Sequence, residues 1–326
     1  MASPPPRFLH AFAVFVAGAT LVLIAAGGLV TSTESGLSVP DWPTTYGHNM
    51  FTFPLSKMVG GIRFEHTHRL IASAVGMLTI VLAVWLGRRE ERRWVRRLGY
   101  LALATVVAQG VLGGITVLYL LPTPISVAHG CLAQIFFGLV VTIAVVTSPR
   151  WREAPPASVR AAFRRVAVSR VGAAAAAAVF LQLLIGAVMR HTKSGLAIPD
   201  FPLSLGRVIP PLDAFPVAIA FAHRLGALLV AGLVIWSAVL AFRSGRPGLR
   251  KAAIGLAALV VVQVALGAMT VLSGKSVAIT TAHVATGALL LGSTVALGVG
   301  ALALERRHDN VVPIRPPLPG KAAGWR

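Results

Sequence analysis

The stretch Leu98–Pro149, LGYLALATVVAQGVLGGITVLYLLPTPISVAHGCLAQIFFGLVVTIAVVTSP, runs for 52 residues without a charge. A helix crosses the hydrocarbon core of a bilayer with roughly 20 apolar residues, so this run is too long for one crossing. Pro122 and Pro124 divide it, because proline removes a helical donor and clashes with the preceding turn. Two spans joined by a short turn result. Further uncharged runs lie on both sides: Ala11–Val30 and Leu70–Gly87 before it, then Val171–Met189, Leu225–Phe242, Ala252–Gly274 and Ser276–Leu304 after it. The chain therefore reads as an all-α membrane protein of eight transmembrane helices. Only 12% of its 326 residues are charged, against about a quarter in a soluble domain.

A net charge of +20 would suit a nucleic-acid binder, but its placement argues against one. Arginine clusters fall between spans two and three, between four and five, after six and in the tail. With Arg7, they put 22 of the 30 basic residues on one side and eight on the other. This is the positive-inside bias, so both termini are expected in the cytoplasm. The first apolar run continues directly into the repeat described next and is read as a span rather than a cleavable signal. The only cysteine, Cys131, lies within a span, which leaves no cysteine pair for a disulfide or a metal.

The chain is duplicated. Ser35-Gly-Leu-Ser-Val-Pro-Asp-Trp-Pro43 recurs as Ser194-Gly-Leu-Ala-Ile-Pro-Asp-Phe-Pro202, His68-Arg69-Leu70 as His223-Arg224-Leu225, and Ala128-His129 as Ala282-His283. Leu112–Leu118 answers Leu266–Leu272, and Gln109 answers Gln263. The offsets are 159, 155, 154 and 154, so the halves stay in register apart from a short indel in the first long loop. Four spans per half is an even number, which predicts two pseudo-symmetric four-helix bundles in the same orientation. The expected divisions are an N-terminal half over 8–149, a cytoplasmic linker over 150–165, a C-terminal half over 166–305 and a disordered tail over 306–326.

Four aligned histidines, His68, His129, His223 and His283, open the even-numbered spans, all toward the outer side. One such residue is explained by an interhelical hydrogen bond. Four at equivalent places, two per half, suit opposed axial ligands of a haem iron. Zinc would want three or four ligands per metal. Gly76, Gly226 and Gly287 are expected near the ligand faces, where a missing side chain admits a porphyrin, with ordinary small-residue helix packing as the alternative. Arg69 and Arg224 follow two of the ligands and suit haem propionates, with snorkelling to headgroups as the alternative. His66, about 200° around the helix from His68, is a candidate for a propionate or water contact. His10, His48, His191 and His308 have no repeat partners, are expected in or near loops and receive no role. Glu65 lies one turn before His68, whereas its counterpart is Ala220. The carboxylate suggests that the first half holds a reacting species and the second a redox cofactor. The alternative is an acid marking a helix start at the interface.

Glu-x-x-His-Arg at Glu65–Arg69, the repeated Gly-Leu-x-x-Pro-Asp-x-Pro loops and the paired histidines together resemble the haem A synthase family. The resemblance covers essentially residues 8–305. It implies oxidation of the C8 methyl of haem O to a formyl group, in two steps with oxygen from water, giving haem A for cytochrome c oxidase. By position, His68 and His129 would bind the substrate haem, His223 and His283 would ligate a haem b, and Glu65 would be the catalytic carboxylate. It implies a bacterial plasma-membrane location and haem O synthase and oxidase assembly factors as partners. Many bacterial members carry a cysteine pair in the first outer loop; residues 31–64 here contain none. Two other readings remain: a di-haem electron-transfer cytochrome, which would not need Glu65, and a two-repeat transporter, which would be expected to show interrupted helices and a midplane polar site.

Overall fold

The computed structural model describes residues 7–152, 159–244 and 246–302. Among these, eight helices are long and apolar enough to cross a membrane. They are α1 (Arg7–Ser32), α2 (Gly60–Arg89), α3 (Arg93–Leu118), α4 (Thr123–Thr147), α5 (Val159–His191), α6 (Phe215–Phe242), α7 (Pro247–Leu272) and α8 (Val277–Leu302). No strand occurs among the described residues, only two isolated bridges in loops. Part of the expected linker and all of the expected tail, 306–326, lie outside the described residues.

Three helices, α2, α5 and α6, begin ten or more residues before their uncharged runs. α2 begins at Gly60, ten residues before Leu70, because Glu65 and Arg69 neutralise one another on one face, Oε1 to Nη2 at 2.7 Å. Pro124 is accommodated in the first turn of α4, where its missing N–H would be an orphan anyway. His10, expected near a loop, lies within α1, and its Nδ1 donates to the carbonyl of Ala144 at 2.9 Å.

In the first half, α1 packs on α2 and α4, and α3 on α2 and α4; α5 through α8 repeat that arrangement. Each half has its own apolar core, with Leu82, Leu86, Phe136 and Ile143 in the first and Val179, Val234, Leu256 and Leu291 in the second. The halves meet through α1, α4, α5 and α8, around a small cluster of Ile24, Phe137 and Ala288. Lipid tails are as apolar as leucine, so close backbone packing has to supply what water exclusion does not. Gly172 and Gly298 show this on α5 and α8: a Cβ on Gly172 would stand 2.9 Å from the Cα of Gly298. Arg190, near the end of α5, stitches the halves by donating to Ser32 Oγ at 2.9 Å and to the Gly28 carbonyl at 3.3 Å. At the arginine-rich end, Arg92 forks onto buried Glu90 at 2.8 and 3.0 Å and reaches the Val146 carbonyl at 2.9 Å.

Candidate functional site

The two long loops sit at the end of the molecule opposite the arginine clusters, and they are built alike. Asp41 accepts from Thr44 Oγ1, Tyr46 N and Gly47 N at 2.5, 2.7 and 2.9 Å; Asp200 accepts from Leu205 N and Gly206 N, both at 2.8 Å. Partial burial alone would raise the Asp41 carboxyl, but the hydrogen bonds from Gly47, Thr44 and Tyr46 outweigh it and hold it at about 2. The Gly206 and Leu205 N–H groups likewise lower Asp200. Each turn has positive φ at both central positions, 50° and 73° at Tyr46-Gly47 and 55° and 71° at Leu205-Gly206. Glycine tolerates this freely and fixes the second position of each turn.

An arginine from the following helix locks each loop down. Arg69 donates through Nη1 to the carbonyls of Asp41 and Thr44 and through Nη2 to that of Val39, at 2.7, 3.0 and 2.9 Å. Arg224 repeats this on Leu203, Ile198 and Asp200, at 2.7, 2.9 and 2.7 Å, with Ser204 Oγ at 3.2 Å. All four terminal N–H groups of each guanidinium are engaged. Only Nε–H remains for the expected propionate contact, and the observed work of both arginines is to fasten the loops. His66 also serves the loop: it is 1% exposed, its Nδ1 lies 3.1 Å from Thr45 Oγ1, and its ring packs 5.1 Å from that of Phe53.

Glu65 is 4% exposed. Its Oε2 accepts from the Val39 N–H at 2.8 Å and its Oε1 from Arg69. These contacts tie α2 to the first loop, yet the second half forms the same loop with Ala220 in that place. The loop therefore does not require the carboxylate. A buried acid one turn from His68 is an addition peculiar to the first half.

The four histidines occupy matching depths. His68 and His223 are the ninth residues of α2 and α6, and His129 and His283 the seventh of α4 and α8. At 1.5 Å per residue, each is about 10 Å inside its helix start. Every ring rests on a glycine of the preceding helix. A Cβ on Gly27, Gly113, Gly186 or Gly267 would stand 3.0, 3.1, 3.1 or 3.0 Å from Cε1 of His68, His129, His223 or His283. These four glycines were not singled out by sequence. Their signal was present, since Gly27 and Gly186 share the 159-residue offset and Gly113 and Gly267 the 154-residue one. The glycines that were singled out behave otherwise. Gly76 meets nothing within 4 Å, Gly226 faces the Gln182 amide, and Gly287 faces the Gln263 amide and Leu183.

His68 and His129 lie toward the same end of the first half, and His223 and His283 toward the same end of the second. All four residues are partly exposed, and the buried Nδ1 atoms of His68, His129 and His283 have no hydrogen-bond partner. An uncommitted imidazole nitrogen inside a membrane is costly unless something takes it up. Among the described residues, no three His, Cys, Asp or Glu side chains cluster for a bare metal ion. Paired imidazoles are what an iron already held by a porphyrin needs, so the residues fit haem.

A family model described as cytochrome oxidase assembly protein, COX15-CtaA, matches residues 10–295. A "Heme A synthase" of Symbiobacterium thermophilum is 33% identical over 275 residues, covering 79% of this chain and 84% of the relative. One from Halalkalibacterium halodurans is 28% identical, covering 85% and 91%, and one from Rhodopseudomonas palustris 26% identical, covering 88% of each. With the match running from α1 into α8 and through both loops, all four histidines and Glu65, the chain belongs to the COX15-CtaA family of cytochrome oxidase assembly proteins.

Proposed function

We propose that this protein is a haem A synthase, which oxidises the C8 methyl of haem O to a formyl group and so supplies haem A to cytochrome c oxidase. The observation that carries the reading is the asymmetry of two otherwise equivalent histidine pairs, with Glu65 beside one and Ala220 beside the other. The chain is read as two pseudo-symmetric bundles in one orientation, in a bacterial plasma membrane. Both termini face the cytoplasm and the loop end faces out.

His68 and His129 hold the substrate haem O in the first half, and His223 and His283 hold a haem b in the second. When bound, haem b supplies a site that accepts and passes on electrons. Glu65 takes protons released as the methyl carbon is oxidised, and it is placed for this by Arg69 and the Val39 N–H. Water is the source of the new oxygen. The loops lie over the ligand ends of the helices and limit access of bulk solvent. Haem O synthase and oxidase assembly factors are the expected partners for delivery and release.

Pigment analysis of the purified protein tests the reading. Haem b accompanied by haem O or haem A is the expected result. Haem b alone, with added haem O left unconverted, would instead establish a simple electron-transfer cytochrome.

A further inference from the structure

The four histidines are not held alike. Three odd-numbered helices carry Gln-x-x-x-Gly: Gln109–Gly113 in α3, Gln182–Gly186 in α5 and Gln263–Gly267 in α7. In each, the glycine seats a histidine ring and the glutamine lies one turn deeper on the same face. Gln182 Nε2 donates to the His223 carbonyl at 2.6 Å and stands 3.0 Å from its Nδ1. Gln109 Nε2 donates to the His129 carbonyl at 2.9 Å. The Gln263 amide lies against Gly287, 3.1 Å from where a Cβ would be, one turn along α8 from His283.

The first helix breaks the pattern. By the repeat offsets, Leu23 stands where α5 has Gln182, and Ile71 where α6 has Gly226. The exchange is paired. Gly226 leaves room for the Gln182 amide, whose Oε1 a Cβ would strike, whereas Leu23 and Ile71 both pack on the apolar core of the first half. His68 thus keeps its seat on Gly27 but has no amide over it, and its Nδ1 is unpartnered.

We infer that the Leu23–Ile71 pair makes His68 the loosely held ligand and the first haem site exchangeable, while Gln182 over Gly226 makes the second haem resident. The inference rests on the proposed function, in which a substrate must leave and a cofactor must stay. An amide that fixes the main chain of a ligand's own turn and packs beside its ring holds the ring in bonding position. Losing such an outer contact typically costs 10–100-fold in metal affinity. Gln182 is a positioning residue, and Leu23 is its deliberate omission on the substrate side.

The test follows haem transfer from the intact, detergent-solubilised protein to apomyoglobin by absorbance. Gln182→Met keeps the side-chain length without the donor. It should release haem b about 10–100-fold faster than wild type and shift the low-spin electron paramagnetic resonance signal, with the thermal midpoint held. The reciprocal Leu23→Gln/Ile71→Gly protein should release haem O about tenfold more slowly and purify with more of it. Wild-type release rates and an unshifted signal in Gln182→Met would overturn the inference while leaving the functional reading intact. Haem O release at the wild-type rate from the reciprocal variant would also overturn it. Wild-type protein that binds no haem b would overturn both.

Discussion

At the scale of single residues, Glu65 and the four seat glycines are where chemistry and packing are most exposed to test. Glu65→Gln keeps size and one acceptor but turns an amide NH2 toward Arg69 and abolishes proton acceptance. Because Ala220 supports an equivalent loop, the variant is expected to insert and to retain haem b. Haem A output should fall about 10²–10⁴-fold, the usual range for losing a general base, with haem O or a partly oxidised alcohol accumulating. Near-normal output would make Glu65 a loop fastener only, and loss of haem b in step with activity would make it structural. Gly186→Val probes the seat of His223. A branched side chain placed 3.1 Å or less from Cε1 must push the ring away, at an overpacking cost of about 1–3 kcal/mol. The low-spin haem b band should be lost, whereas Gly255→Val, which meets nothing within 4 Å, should keep it. The histidines stood out in the sequence because duplication aligned them, and Glu65 because its counterpart is Ala220. The seats and the Gln182 clamp were not, because a glycine in a membrane helix has many ordinary uses and only the packed neighbour shows which one applies.

At the scale of elements, the two loops are folded by carboxylates that stay charged over a wide pH range. An unfolded aspartate titrates near 3.9, and Asp41 in the loop at about 2. Its folded pKa is the lower of the two, so its contribution is complete above about pH 4 and is lost as pH falls through about 2. Amide signals of Tyr46 and Gly47 should therefore hold steady from neutral pH to about pH 4 and collapse toward pH 2. Asp41→Asn should loosen the loop from neutral pH down to about pH 4, where the wild-type carboxylate is charged, seen as faster hydrogen exchange at the same two amides. Helix number and order could be read from uncharged runs alone. Helix ends could not: α2 starts ten residues early because an internal ion pair and loop carbonyls absorb Glu65 and Arg69, and hydropathy records both as breaks. For the same reason the sequence did not show that Arg69, Arg224 and His66 also hold the loops. Their partners are backbone carbonyls and a threonine of loops whose path no periodicity announces.

At the scale of the whole molecule, the 22-to-eight division of basic residues predicts the proposed orientation. Reporter fusions after Arg93, Arg160 and Arg246 should report the cytoplasm, and fusions near Asn49 and Ser204 the outer side. A cytoplasmic signal at Asn49 would place the haem sites in the inner leaflet. The pairing of halves through α1, α4, α5 and α8 was not visible in sequence. It depends on short contacts such as Gly172 on Gly298 and on Arg190 reaching Ser32, between residues far apart in the chain.

The indole of Trp42 lies directly against Gly114, the neighbour of the glycine that seats His129. At the matching place the second loop carries Phe201. Haem absorbs where tryptophan emits, so the first half contains its own fluorescent gauge and the second has none there. Filling the substrate site should darken Trp42 by energy transfer. Trp42→Phe should reduce the haem O-dependent quenching, with Trp85 and Trp94 supplying the remainder, so that arrival and departure of the substrate can be timed in the intact protein without any label.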